Sequence, residues 1–383
     1  MCKNIYTDNM KNEQNRINSD KSKIKEIIVI AVPAIIESIV AVIITSIDTK
    51  MISVLGNGAI SAVNFTTQPK LIIFAIFFAL GTAVSFFVSK AYGSKDKDEA
   101  NKYFITILRM TVLLSIVLGI VLYFLAGPIM QICNRQEDTL DMSISFYRIV
   151  MVFMIFNNVS VVLNSALRGV GKMKITLISS IVMGVVDVIF NYLLIEGHFG
   201  FPTLGIRGDA YATVLGTLAA CITSYIAIAK EKGFLSLKGF FTQPIDRERE
   251  FARSIMSKTG NIVFENIFTR IGFLLSAIIS SNLNSTSTDV YSVGMILFNY
   301  SFAFGDGISK AALTLVGNSY GANNDHNIRI YSKYLNIISV VVSVVLVLEM
   351  EVSISLMDTN ISKKLPPRLL KVSENCGATL DKR

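Results

Sequence analysis

The residues that could bind an ion lie in or beside long apolar runs. Asp187 and Asn191 are four positions apart in the run at 175–195, and this spacing places both on one face of a helix. Asp48 directly follows the run at 27–47. Carboxylate and amide oxygens can hold a proton or coordinate Na⁺, so we predict ion coupling at these three residues and no metal beyond a possible sodium there. An interfacial Asp48, and a purely structural hydrogen bond between helices for the other two, remain open alternatives.

Glu37 and three asparagines are further candidates, because polar groups inside a membrane are costly. Glu37 lies in the first apolar run, and Asn157, Asn158 and Asn164 lie in the run at 149–167. We predict that these four side chains line a substrate cavity. The alternative for the amides is hydrogen bonds between helices.

Helices that cross a membrane must position these side chains. Of the 383 residues, 52% are apolar and only 17% are charged, whereas soluble domains carry about 25% charged residues. This composition argues against a disordered chain, a disulfide scaffold and an ordinary cytosolic enzyme. Because the apolar runs lack strict alternation, we predict an all-α polytopic membrane protein with about nine spans. The runs lie at 27–47, 71–89, 104–126, 149–167, 175–195, 210–229, 260–280, 290–316 and 335–348.

The basic residues between the runs indicate an orientation. With the N-terminus in the cytoplasm, 22 Lys and Arg fall in inner segments and 5 in outer segments. The positive-inside rule favours this arrangement. We therefore predict a multi-pass protein of a bacterial-type inner (plasma) membrane, with the lipid bilayer as a partner. The same loops account for the net charge of +8, so we predict no nucleic-acid partner.

The sequence contains an internal repeat. Tyr92-Gly93 and Tyr320-Gly321 each follow a long apolar run, and they are 228 positions apart. The same offset relates Glu37 to Glu265. Six runs precede the second copy, so the copies have the same orientation, which is typical of two parallel helix bundles in a transporter. Only three runs remain for the second bundle.

Several short segments occur in an order and spacing that are more specific than any one of them. They are V-P-A-I-I-E at 32–37, I-D-T at 47–49, A-Y-G-S-K-D at 91–96, L-R-G-V-G-K at 167–172, G-D-A-Y-A-T at 208–213 and V-G-N-S-Y-G-A at 316–322. From residue 24 to about 348 the chain resembles the multidrug and toxic compound extrusion (MATE) transporters. The resemblance implies two parallel six-helix lobes, here with the second lobe incomplete at the C-terminal end.

The resemblance also implies a function and site residues. It implies export of small amphipathic cationic drugs or toxins by secondary active transport, with sodium or protons as the coupling ion. It matches Asp48 to the first-helix aspartate of the family and implies a coupling role for Glu265 in the second lobe. At 187 and 191 the family usually has Asn and then Asp, whereas this chain has Asp and then Asn. This reversed order of the two residue types leaves the geometry of ion binding open.

The predicted organisation has five parts. They are a polar cytoplasmic N-terminus at 1–26, an N-lobe of six transmembrane helices at 27–232, a cytoplasmic interlobe linker at 233–258, a partial C-lobe of about three helices at 259–350, and an atypical polar tail at 351–383. The tail is expected to lie outside the resemblance to the family.

Enzymatic and nucleotide-driven functions lack support in the sequence. There is neither a Ser-His-Asp set nor an H-E-x-x-H motif, so we predict that the chain is not an enzyme. The G-V-G-K segment at 169–172 departs from the phosphate-binding loop, since Ala166 and Met173 replace required residues. We therefore predict no ATP and no cofactor other than the coupling ion. A truncated inactive membrane protein and a lipid-linked oligosaccharide flippase of the same broad fold are the alternatives.

Overall fold

The structure is a computed structural model that describes residues 2–133, 137–230, 233–240, 248–283 and 285–364. In these ranges the chain is almost entirely helical and contains no strand. The α-helices are α1 (Cys2–Ile52), α2 (Asn57–Gly93), α3 (Lys97–Cys133), α4 (Glu137–Val152), α5 (Met154–Gly169), α6 (Met173–Ile195), α7 (Ile206–Lys230), α8 (Glu248–Leu283), α9 (Ser285–Gly321) and α10 (Asp325–Lys364). Short 3₁₀ turns lie at Ser53–Leu55, His198–Gly200 and Lys238–Phe240.

The predicted all-α polytopic fold is confirmed, and every predicted apolar run lies in a helix. The fourth run occupies α4 and α5, which meet at a bend of 47°. Among the described residues, six helices are long and apolar enough to span a membrane, or seven if the bent pair is one span. Helices α8 and α9 fall outside that set, although both cover predicted runs.

The helices extend beyond the predicted runs at both ends of the chain. Helix α1 begins at Cys2, inside the segment predicted as a polar N-terminus. Helix α10 continues to Lys364, so the first part of the predicted polar tail is helical, and residues 365–383 lie outside the described part. Sequence patterns underestimate these lengths because a helix does not stop where its side chains become polar.

Helix α6 shows how a membrane changes the usual pattern of burial. Its buried positions include Ser179, Asp187 and Asn191. Its exposed positions include Ile181 and Val185, which are 43% and 53% exposed. Lipid solvates apolar side chains, so the bundle interior collects the polar groups that need hydrogen-bond partners. The core of α2–α7 still contains large side chains, among them Phe77, Phe104, Tyr147, Met151 and Leu163.

The 228-residue repeat recurs in the backbone. Helices α2 and α9 begin and end at positions related by this offset, and α3 and α10 begin at positions related by it. Lys95 and Asn323 occupy equivalent turns with positive φ of 61° and 52°. The next residues, Asp96 and Asn324, each accept a hydrogen bond from the backbone N–H three positions on, at 2.9 Å and 3.0 Å. Equivalent sequence segments therefore form equivalent caps.

The chain separates into two compact units, Met1–Leu335 and Asn336–Arg383. The first contains α1–α9 and the start of α10. Within its described part, the second consists of the remainder of α10 to Lys364. The boundary does not coincide with the linker predicted at 233–258, and the predicted lobe boundaries remain predictions. Below, "first repeat" denotes α1–α7 and "second repeat" denotes α8–α10.

A glycine allows α9 to cross α1 closely. A Cβ atom at Gly307 would lie 2.5 Å from the Cα atom of Ile35, whereas a Cβ atom at Gly305 would meet no atom within 4 Å. The two glycines are on the same helix, so they have a similar backbone but different neighbours. The α1–α9 crossing therefore depends on the missing side chain at Gly307.

We predict opposite effects for alanine at these two glycines. Gly307→Ala should destabilise the purified protein by about 1–3 kcal/mol, because the clash is with backbone atoms that cannot rotate away. Gly305→Ala should be neutral or stabilising by up to about 1 kcal/mol, because alanine favours a helix. Thermal unfolding in detergent measures both. Equal melting temperatures for the two variants would contradict the described crossing.

Candidate functional site

The structure brings Asp48, Asp187 and Asn191 together between α1 and α6. The Asn191 Nδ2 atom donates a hydrogen bond to Asp48 Oδ1 at 3.2 Å. The carboxyl groups of Asp48 and Asp187 are also close neighbours. Asp187 and Asn191 are 4% and 0% exposed, and Asp48 is half-buried. Two carboxylates at close range repel each other, so a proton or a cation would stabilise this contact.

Small residues on α6 and α7 hold these helices in position. A Cβ atom at Gly216 of α7 would lie 2.9 Å from the backbone oxygen of Met183 and 3.0 Å from Cβ of Asp187. On α6, a Cβ atom at Gly184 would overlap the Ile44 side chain of α1. Helices without side chains at the contact approach closely in membranes. Gly184 and Gly216 thereby allow the Asp187 segment of α6 to pack closely against α1 and α7.

Sequence reasoning missed two charged members of this cluster. The Asp209 carboxyl on α7 is 2% exposed and lies near the Asn191 side chain. Lys70 on α2 lies in electrostatic range of Asp48, Asp187 and Asp209. Both residues directly precede predicted apolar runs, at 71–89 and 210–229, and were therefore predicted to lie outside the spans. Helices α2 and α7 begin earlier, at Asn57 and Ile206. The G-D-A-Y-A-T segment was the available signal, since it places an aspartate at the start of a span.

The cluster has oxygen atoms with unused hydrogen-bonding capacity. Asp187 Oδ1 and Asn191 Oδ1 are buried and have no hydrogen-bond partner. Three carboxyl groups face a single ammonium group, that of Lys70. A buried oxygen without a donor costs free energy, and buried negative charges require compensation. This arrangement can therefore accept a proton or a small cation through oxygen ligands. No group of three or more His, Cys, Asp or Glu side chains suited to a metal occurs in the described part of the chain.

Glu37 lies elsewhere, about 16 Å along α1 from Asp48, as eleven residues of helix require. Its Oε1 atom is 2.7 Å from Arg168 Nη1 and 3.8 Å from Lys310 Nζ. The Thr176 hydroxyl donates to Glu37 Oε2 at 2.6 Å. The structure thus places Glu37 in an ion-pair network that the sequence did not predict, and its predicted role in a substrate cavity remains a prediction.

The three asparagines of α5 make hydrogen bonds. Asn158 donates to Ser115 of α3 at 2.9 Å. Asn164 donates to Ser179 of α6 at 3.4 Å and accepts from Ser224 of α7 at 2.8 Å. Asn157 is partly exposed and donates to Asn158 Oδ1 at 3.4 Å. For Asn158 and Asn164, these contacts between helices correspond to the packing alternative rather than to an open cavity.

Glu265 is not brought to the cluster. It is exposed on α8, and its backbone oxygen accepts a hydrogen bond from Thr269 one turn later. Its repeat-related partner Glu37 is 6% exposed. The repeat therefore places glutamates at equivalent positions but in different surroundings. The predicted coupling role of Glu265 remains a prediction.

Comparisons with known proteins agree on one family. The MatE family model matches residues 33–193 and 262–357, which is more than half of the chain and extends past residue 350. A probable multidrug resistance protein, YoeA of Bacillus subtilis, is 30% identical over 178 residues, or 46% of this chain and 38% of that protein. A probable multidrug resistance protein, NorM of Thermotoga maritima, is 24% identical over 310 residues, or 79% of this chain and 65% of that protein. The chain thus spans less than two thirds of the length of these relatives.

A solved structure shows the same fold. An outward-facing MATE family transporter of the MOP superfamily superimposes with a TM-score of 0.73 at 17% identity. The match covers 85% of this chain and 71% of that chain.

The contacts of α5 predict that two of its asparagines differ in their effect on stability. Asn164→Ala should lower the free energy of unfolding by about 1–3 kcal/mol, because it leaves the Ser179 and Ser224 hydroxyls without their amide partner. Asn157→Ala should cost less, since this side chain is partly exposed. Thermal unfolding in detergent provides the comparison. A larger loss for Asn157→Ala would contradict the packing role of Asn164.

Proposed function

Because this chain belongs to the MatE family, we propose that it works in secondary active transport, exporting small amphipathic cationic compounds in exchange for Na⁺ or protons. The family membership and the names of the relatives support drug efflux. The cluster of Asp48, Asp187, Asn191 and Asp209 supports ion coupling. The single observation that carries the proposal is the pair of buried, unpartnered oxygen atoms on Asp187 and Asn191.

The proposed mechanism follows from charge compensation. An ion or proton at Asp187 and Asn191 satisfies their free oxygens and reduces the negative charge of the cluster. A cationic substrate gains its binding free energy from the same carboxyl groups, so ion binding weakens its attraction. Two arrangements of the bundle that bind the ion with different affinity then change in population. The site residues would thereby exchange one positive charge for another.

Lys70 offsets part of the negative charge that Asp48, Asp187 and Asp209 would carry between ion release and substrate binding. Its ammonium group faces Asp48, Asp187 and Asp209, and no described carboxylate oxygen lies within 4.0 Å of it in an ion pair. We propose that it acts as a counter-charge, so that release of the ion does not leave three uncompensated carboxylates. The exchanged order of Asp187 and Asn191 places the acidic group of α6 one turn nearer its N-terminus, and Asp209 compensates by meeting Asn191 from α7.

The flippase alternative is not favoured by the basic residues of the spans. Such a site would present cations to a phosphate. Arg168 and Lys310 are instead paired with Glu37 and Asp306. Arg109 donates to the backbone oxygens of Gly239 and Phe240. These cations are already neutralised or bound within the fold.

We predict that Asp187→Asn abolishes gradient-driven export, because an amide keeps the shape but cannot exchange a positive charge. Export of a cationic dye from cells that lack their own efflux pumps is the measurement. Asp98→Asn is the matched control, since Asp98 is exposed at the start of α3 and should leave export unchanged. Full export by the Asp187→Asn chain, at equal membrane abundance, would remove Asp187 from the mechanism.

The identity of the coupling ion is tested by the same chains. If sodium is the coupling ion, replacing external sodium with choline at constant pH should stop export by the parent chain. If the proton is the coupling ion, export should continue and cease only when the pH gradient is collapsed. Export that survives the loss of both gradients would contradict secondary transport.

We also propose the orientation that the basic residues favour, with the N-terminus in the cytoplasm of a bacterial inner membrane. In a chain without native cysteines, Phe199→Cys should react with an impermeant thiol reagent in intact cells, because Phe199 is 88% exposed between α6 and α7. Ser94→Cys, in the exposed turn after α2, should react only after the cells are opened. The reverse pattern would show the opposite orientation.

A further inference from the structure

The first and second repeats meet through charged residues at one level of the bundle. Glu37 and Ser38 lie on α1, Arg168 lies at the end of α5, and Asp306 and Lys310 lie on α9. Lys310 Nζ is 2.7 Å from Asp306 Oδ2, and Arg168 Nη1 is 2.7 Å from Glu37 Oε1. Each of these two short ion pairs lies within one repeat. Each repeat therefore contributes one cation and one anion, with no net charge.

A different set of bonds joins the repeats to each other. The Ser38 hydroxyl donates to Asp306 Oδ2 at 2.8 Å, and Lys310 Nζ donates to Ser38 Oγ at 3.0 Å. The Thr314 hydroxyl of α9 lies 3.0 Å from the backbone oxygen of Arg168. The longer contact, 3.8 Å, joins Lys310 to Glu37. The connection between repeats thus consists mainly of hydroxyl hydrogen bonds, while the strong ion pairs stay within the repeats.

This division determines the cost of separating the repeats. An ion pair that is split within a membrane protein leaves two uncompensated charges, and that cost is several kcal/mol. Here separation would leave Glu37 with Arg168 and Asp306 with Lys310. The carboxylates of Asp306 and Glu37, the backbone oxygen of Arg168 and the hydroxyl and amine groups that they contact would each lose a partner, and water in an opening cleft can replace those hydrogen bonds. Asp306 and Lys310 side chains are already 38% and 24% exposed.

The backbone forms a second contact at the same end of the helices. A Cβ atom at Gly93 would lie 1.9 Å from the Asn318 oxygen, and one at Gly321 would lie 1.8 Å from the Lys90 oxygen. Asn318 is the repeat-related counterpart of Lys90, and Gly321 is that of Gly93. The contact is therefore two-fold symmetric, and it has no side chain between the helix ends. The two helix ends can therefore pack closely and separate again without interdigitated side chains.

We propose that Glu37, Ser38, Arg168, Asp306 and Lys310 form a reversible latch between the two repeats, which closes the end of the bundle that carries Gly93 and Gly321. Ser38 is the residue that joins the two self-neutral ion pairs. The latch deepens the proposed transport function, since it matters only if the repeats move apart. It assigns Glu37 to conformational control at this end rather than to the coupling cluster near Asp48.

The test measures opening directly with a buried thiol. Ser89 is 0% exposed on α2, and its hydroxyl is 3.4 Å from the Leu313 oxygen across the contact between α2 and α9. In a full-length chain without native cysteines, Ser89→Cys should react with a hydrophilic thiol reagent only when this contact opens. Ser143→Cys reports on the first repeat alone, because Ser143 is 0% exposed and bonds the Ala62 oxygen there.

Two substitutions separate the latch from general stability. Ser38→Ala removes the two hydrogen bonds that the Ser38 hydroxyl makes with Asp306 and Lys310 of the second repeat. Thr176→Val is the matched control, because it removes a hydroxyl bond to Glu37 within the first repeat. Ser38→Ala should raise the alkylation rate of the Ser89→Cys chain on the order of tenfold, as the loss of two hydrogen bonds implies. It should leave the rate of the Ser143→Cys chain unchanged, and Thr176→Val should leave the Ser89→Cys rate unchanged.

Three results would overturn the latch. They are an unchanged Ser89→Cys rate in Ser38→Ala, equal increases at both thiols, and an equal effect of Thr176→Val. The double variant Asp306→Asn/Lys310→Gln provides a second measurement that keeps the charge of each repeat at zero, and it should also raise the Ser89→Cys rate. These rates are measured on purified protein without a gradient. Failure of the latch is therefore distinguishable from failure of the export proposal, which the Asp187→Asn transport assay tests.

Discussion

The fold depends on the cost of leaving a polar group without a partner in hydrocarbon. Lipid solvates the isoleucines and valines of α6, so apolar burial does not determine which face of that helix points inward. The polar residues determine it: Ser179 and Asn164 bond each other across α5 and α6, and Asp187 meets Asp48 across α1 and α6. Each polar side chain that cannot face lipid fixes one helix against another. The same rule explains why the unpartnered oxygens of Asp187 and Asn191 stand out.

The sequence was sufficient to predict the helices and to group Asp48, Asp187 and Asn191. Apolar runs locate spans because the bilayer thickness imposes a length, and the four-residue spacing of Asp187 and Asn191 survives in any helix. Lys70 and Asp209 could not be assigned in this way. Both stand at the polar ends of their runs, where a loop and a helix have the same composition, and only the tertiary packing of α2 and α7 brings them beside Asp48.

Internal symmetry is a reliable guide to backbone and a poor guide to side-chain environment. The caps at Lys95 and Asn323 agree in conformation and hydrogen bonding, because local sequence fixes them. Glu37 and Glu265 share the same offset, yet one is buried in ion pairs and the other is exposed. The difference arises from Arg168 and Lys310, which meet Glu37 from α5 and α9 and are not themselves related by the repeat.

Helix α1 carries both polar centres on nearly one face. Glu37 and Asp48 are eleven residues apart, which is close to three full turns of 3.6 residues. Towards Glu37 the inward face of α1 includes buried residues such as Ala34 and Ser38, whereas near Asp48 the helix is largely exposed. One end of α1 is thus packed against the second repeat, whereas the other end is exposed. Helix α1 therefore reaches from the cluster around Asp48 to the contact between the repeats, so both polar centres belong to one element.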